Sequence, residues 1–253
     1  MKKAIAFVLL ACSLGARANT FSTDNTDLWY NANESGWGVN VMQQGEILFV
    51  TLFVYSPSGA ATWYVGPSTT YVGNDSAGLN FSGPLYQTTG PWFGGPFNPN
   101  AVGNRQVGTV TFSSPNQTTG ALSYSVDGTQ VTKAVTRQTW RNYNLTGNYL
   151  GGQVGTYSNC PVTNGYVEEP GNVSISHNDP SFTMASQGCT YNGTYAQDGR
   201  LGRVSGNYSC SNGIAGQFTA FEIEATITGL TARVSAQSNA CTWSGRIGGL
   251  RRQ

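Results

Sequence analysis

The chain has 253 residues, with 33 glycines, 10 prolines and only 10% charged residues. Thirteen Lys and Arg nearly balance twelve Asp and Glu, so no basic stripe is available for a nucleic-acid partner. Few charges with many Thr, Ser, Asn and aromatic residues point to an extracellular all-β protein and away from a disordered chain.

In chain order, Lys2 and Lys3 precede an apolar run from Ala4 to Ala11, and Ala16-Arg17-Ala18 is a small-x-small cleavage site. Residues 1–18 therefore read as a secretory signal peptide. A competing reading anchors the chain through a lipid-modified Cys12, but Leu10 is bulky for such a site. Removing Lys2, Lys3 and Arg17 leaves ten basic against twelve acidic residues, a net charge of −2. No later run approaches the ~18 apolar residues that an integral membrane span needs. A periplasmic or secreted monomer of about 235 residues is expected, long enough for two domains with real cores.

Trp37 to Val65 reads as three antiparallel strands, turning at Gln43-Gln44-Gly45 and Pro57-Ser58-Gly59. Three-residue turns put Ile47, Phe49, Phe53 and Tyr55 on the same face as Trp37, Val39 and Val41. Two-residue loops flip the middle strand and offer Leu48, Val50, Leu52 and Val54 instead. Trp37, Val39, Val41, Trp63 and Val65 stay together in both registers and are the predicted core. The middle strand is apolar on both faces, so a second sheet, a neighbouring element or a ligand should cover its other side.

Further strands are expected at Tyr71–Phe81 and Pro84–Thr88, around an Asn74-Asp75 turn and a Ser82-Gly83 break. Residues 90–99 hold three prolines and three glycines, and so form a loop. That loop carries Trp92, Phe93 and Phe97, either tucked over a core end or offered as a contact surface. Val107–Phe112, Ala121–Val126 and Thr129–Val135 complete about eight strands in about 115 residues, the spacing of a barrel or sandwich. With a boundary near Thr139–Asn144, the domains are 19–140 and 145–253. The second contains strands at Asn172–Ser176, Ser181–Ala185, Thr190–Ala196, Leu201–Ser209, Gln217–Glu224, Leu230–Ala236 and Thr242–Ile247. The predicted fold is two small antiparallel β-barrels or sandwiches in tandem, with calycin-like meander barrels favoured.

Cys160, Cys189, Cys210 and Cys241 all lie in the second half, an even number that implies disulfides in a secreted chain. Without a CxxC pair, and with His177 as the only histidine, no metal site is expected. A meander sets Cys189 and Cys210 opposite each other around the Asp198-Gly199 turn and leaves Cys160 to pair with Cys241. Cys160–Cys189 with Cys210–Cys241 is the alternative.

No catalytic set emerges. His177 sits beside a probable Asn178-Asp179-Pro180 turn and reads as a solvated residue, without the partners of a serine-type site. Paired carboxylates run glycoside hydrolysis when held ~5 to 9 Å apart. Glu222 and Glu224 share a strand face, Glu168 and Glu169 fall in a predicted loop before Pro170, and both pairs read as surface charge. No cofactor motif occurs.

Several motifs resemble a known family. Asn33-Glu-Ser-Gly-Trp-Gly38, the Gln-Gln-Gly turn, Trp63-Tyr64 and Gly83-Pro-Leu-Tyr86 look like a domain seen in uncharacterised secreted proteobacterial proteins. Cys189-Thr-Tyr-Asn-Gly, Gly199-Arg-Leu-Gly-Arg, Gly206-Asn-Tyr-Ser-Cys210 and Gly245-Arg-Ile-Gly-Gly249 look like a module found beside it. The resemblance implies a bacterial exported protein and brings no activity. Abundant aromatics with no catalytic set point to non-catalytic binding of a small apolar ligand, a glycan or an envelope protein. A carboxylate-pair hydrolase and a structural envelope or matrix component are the alternatives. The expected ligand contacts are Trp92 and Phe93 on the loop, with Trp29 and Tyr30 near the start of the mature chain.

Overall fold

A computed structural model describes residues 23–252. The expected leader 1–18 and Cys12 lie outside the described residues. Within them the chain is built of strands, with one 3-10 turn at Pro99–Ala101.

The first barrel runs β1 (Asp27–Tyr30), β2 (Gly38–Gln44), β3 (Ile47–Tyr55), β4 (Ala61–Asp75), β5 (Gly78–Thr89), β6 (Gly103–Ser114), β7 (Thr119–Val126) and β8 (Thr129–Arg137). Each strand pairs with the next, and Trp29 opposite Arg137 closes β1 on β8. The second runs β9 (Gly147–Ser158), β10 (Gly165–Asn178), β11 (Ser181–Ser186), β12 (Cys189–Asp198), β13 (Leu201–Cys210), β14 (Ala215–Ala225), β15 (Gly229–Ser238) and β16 (Cys241–Arg251), closed by β16 on β9. The fold is all-β, two closed eight-stranded meanders in tandem.

The first meander uses the two-residue register. Gln44 lies opposite Ile47, and the connecting Gly45 takes a φ of +60°, where a side chain would be strained. Leu48, Val50 and Leu52 consequently point inward with Val39 and Val41 and are fully buried. Ile47, Phe49, Phe53 and Tyr55 point outward and are exposed. The expected core position of Trp63 is corrected. The loop to β4 has five residues and sets Tyr55 opposite Ala61, so Trp63 lies opposite Phe53 on the outer face and is 48% exposed. Val65 follows Trp63 to that face, opposite Thr51, yet is buried. Trp37 is half-buried against the core, its indole N–H donating to Glu34 Oε2 at 3.0 Å.

The break expected at Ser82-Gly83 is absent, since β5 continues through it. A Cβ at Gly83 would sit 2.4 Å from the Ser68 carbonyl oxygen, so this glycine permits close approach of β4 and ends no strand. The barrel interior is filled around Trp29, Phe81 and Phe112. Trp29 donates its indole N–H to the Asn25 carbonyl at 2.9 Å, meets Phe112 edge-on at 5.0 Å and lies under the Arg137 guanidinium at 4.6 Å.

The second barrel keeps an apolar floor. Leu145 from the connecting segment packs there with Ile175, Phe182 and Ile223. Tyr149 donates its hydroxyl to the Leu145 carbonyl at 2.7 Å, fixing that plug. The same end meets the first barrel. Glu222 N donates to Gln117 Oε1 in the β6–β7 connection at 3.2 Å, and Gly199 N donates to Thr139 Oγ1 in the segment between the barrels at 2.9 Å.

Candidate functional site

The two barrels differ inside. The first is filled, while the second opens at the end away from its partner into a cavity of about 610 Å³, within the usual span for small-ligand sites. The opening follows from the sequence of the inward positions. On β9 these are Tyr149, Gly151, Gln153, Gly155 and Tyr157, and on β16 they are Trp243, Gly245, Ile247 and Gly249, with Gly151 opposite Gly249, Gln153 opposite Ile247, Gly155 opposite Gly245 and Tyr157 opposite Trp243 across the closing seam. Four of these positions are glycines and fill no space. They also make a shelf for Trp243. A Cβ on Gly155 would lie 2.7 Å from the indole Cζ2, and one on Gly245 2.8 Å from the same atom, so the ring lies along the wall.

Aromatic rings form much of the lining. Tyr191 and Tyr208 stack at 5.5 Å with planes 25° apart, and Tyr157 lies 6.5 Å from Trp243 at 56°. Beneath them Met184, Val234 and Ile247 join the cavity to the apolar floor. Burial pushes the Tyr191 hydroxyl up to about 12, with the neighbouring Tyr208, Tyr157 and Glu169 acting the same way. Burial likewise raises Tyr157, helped by the Glu169 charge, and raises Tyr208 against a hydrogen bond to Ser238.

Glu169 brings the charge. The expectation of a loop at Glu168-Glu169 is corrected, since both lie in β10. Inward positions there run Val167, Glu169, Gly171, Val173 and Ile175, while Glu168 faces out with Tyr166 donating to it at 2.6 Å. Across the ladder Gln153 Nε2 donates to Glu169 Oε2 at 2.5 Å. Glu169 is the single carboxylate lining the cavity, so no acid pair is assembled there.

The rim is covalently fixed. Cys189–Cys210 bridges the open end of the β12–β13 pair, and Cys160–Cys241 joins the β9–β10 connection to the start of β16. Both pairings are those derived from the meander order, and two disulfides suggest an oxidising, exported environment.

The sequence-predicted ligand contacts are not brought together. Trp29 is corrected from a contact to a core residue, fully buried because β1 closes the first barrel. Tyr30 is half-buried beside it on β1. Trp92 and Phe93 lie on the β5–β6 loop with their rings 5.9 Å apart, and with Phe97 they are strongly exposed, so that loop is not tucked over a core end.

The other candidates resolve as structure. His177 is half-buried against its neighbours, more enclosed than a solvated turn residue. Its Nδ1 accepts from Leu145 N at 3.3 Å, its ring lies 4.5 Å from Tyr195, and burial lowers its pKa. Glu222 and Glu224 do not form a surface pair. A bulge between Phe221 and Glu224 turns Glu222 into a buried position with φ +50°, 3.5 Å from Arg233 and 3.6 Å from Arg246. Burial raises the Glu222 pKa against the pull of those arginines. Glu224 pairs with Arg200. Among the described residues no cluster of His, Cys, Asp and Glu can hold a metal ion, and no helix is long and apolar enough to cross a membrane.

No family model, curated protein or solved structure matches the chain. Its function is read from the cavity.

Proposed function

We propose that the protein is an exported, non-catalytic binder of a small, largely apolar ligand held in the mouth of the second barrel. One observation carries the reading: a cavity of about 610 Å³ walled by Tyr157, Tyr191, Tyr208 and Trp243 in the second barrel. Aromatic walls with a few polar groups give apolar contact area and orientation together. The two disulfides and the resemblance to secreted bacterial proteins support export to a periplasm or beyond. The test is titration with N-phenyl-1-naphthylamine, a neutral apolar dye that brightens in a dry site. Saturable binding of one dye per chain, abolished by Ala236→Phe in the cavity wall, is the expected result. Absence of binding by the correctly folded, oxidised protein overturns the reading.

A second reading rests on the outer face of the first barrel. Phe53 and Trp63 lie directly opposite each other there and are half exposed, with Phe49 and Tyr55 along the same strand. Such rings stack on sugars. Retention on insoluble peptidoglycan, lost in Trp63→Ala, supports this use, and equal retention of both proteins removes it.

A further inference from the structure

We infer that the cavity of the second barrel selects an organic cation, an amine or quaternary ammonium group on an apolar body. This rests on the reading of the cavity as a ligand site and names the chemistry it favours. Glu169 is the only acidic side chain among the lining residues, and no Lys, Arg or His accompanies it. No ion pair among the described residues neutralises it, and its hydrogen-bond partner, Gln153, is uncharged. The rim connections at 159–164, 187–188, 211–214 and 239–240 carry no basic residue either. The cavity therefore has one uncompensated negative charge.

The rings add to that preference. A cation over the face of Trp or Tyr is attracted by the ring quadrupole, most strongly where water is excluded. Tyr191 stacks with Tyr208, and Trp243 stands beside Tyr157, so two aromatic pairs enclose the space around the carboxylate. The charge of Glu169 is felt by both Tyr157 and Tyr191, whose hydroxyls it makes harder to ionise. A carboxylate ligand such as a fatty acid meets repulsion from the same group.

Isothermal titration with benzyltrimethylammonium and with its uncharged carbon isostere, neopentylbenzene, tests the inference. The oxidised protein is expected to bind the cation about tenfold more tightly than the isostere. Glu169→Gln keeps the shape and the partner of Gln153, and should cut that preference to the smaller share that the rings supply. Circular dichroism establishes that the variant is folded, and Glu169→Asp serves as a second variant that keeps the charge. Equal affinity for the two probes in the native protein overturns the cation preference and leaves the cavity reading standing. Failure of both probes and of the neutral dye overturns both. A preference undiminished by Glu169→Gln removes the role assigned to Glu169.

Discussion

Asp27 of the first barrel accepts the backbone N–H of Arg200 from the second at 2.9 Å. The same carboxylate oxygen takes the Arg137 guanidinium at 3.2 Å, and Arg137 is fully buried. Arg200 extends this clamp, with Nη2 on Asp24 at 2.5 Å, Nε on the Thr26 carbonyl at 3.0 Å and Nη1 on Glu224. The carboxylate of Asp27 thus joins a buried cation to a turn of the other barrel.

Asp27→Ala leaves Arg137 buried without its counter-charge and should cost about 3–5 kcal/mol. It also frees the Arg200 turn. Calorimetry should then resolve separate melting of the two barrels where the native protein melts more cooperatively. A single unchanged transition would show that the clamp does not couple them.

Trp29 and Trp63 should respond in opposite ways. Trp29→Ala empties the centre of the first barrel and should cost about 3–5 kcal/mol. Trp63→Ala removes one member of an outer cross-strand pair and should cost less than about 1 kcal/mol. Urea denaturation of both variants checks the order, and reversal would mean that the outer face is covered in solution.

The two disulfides should differ in strength. By loop closure, replacing Cys160 and Cys241, 81 residues apart, by serine should cost about 4.5 kcal/mol. Replacing Cys189 and Cys210, 21 apart, should cost about 3 kcal/mol. Denaturation of each paired variant, with the other bridge intact, tests the ranking. Both should also weaken dye binding, because each bridge holds the rim.

Alkali should destabilise the second barrel. Tyrosine ordinarily ionises near pH 10, and burial pushes Tyr191 up to about 12. A folded pKa above the unfolded one means the stabilising contribution is full below about pH 10 and lost as the pH rises from about 10 to about 12. Tyr191→Phe should flatten that fall in urea midpoints. An equally steep fall in the variant would assign the loss to other groups.

Much of this was legible in the sequence. Turn chemistry at Asp198-Gly199 located the facing ends of β12 and β13, and up-down order then paired the cysteines. Strand faces in the first meander were not, because face depends on loop parity, and the five-residue connection turned Trp63 outward. The cavity was hidden for a different reason. Pro170 and Gly171 look like strand breakers beside Glu168-Glu169, yet Pro170 lies within the ladder opposite Gly152. The usable signal was the alternation Val167, Glu169, Gly171, Val173, Ile175, which sets one acid in an inward apolar series. Glycines at Gly151, Gly155, Gly245 and Gly249 carry no side chain to mark a strand face, although they make the room.

With Leu145 plugging one end and the first barrel seated behind it, the second barrel has a single doorway, framed by two covalent staples. Under the proposed reading, a ligand would enter and leave through that same opening. Its residence time would follow how far the loops of the rim can part within the limits of their sulfur bonds. Anything that delivered or collected such a ligand would have to meet the molecule at that rim, on the side away from the first barrel.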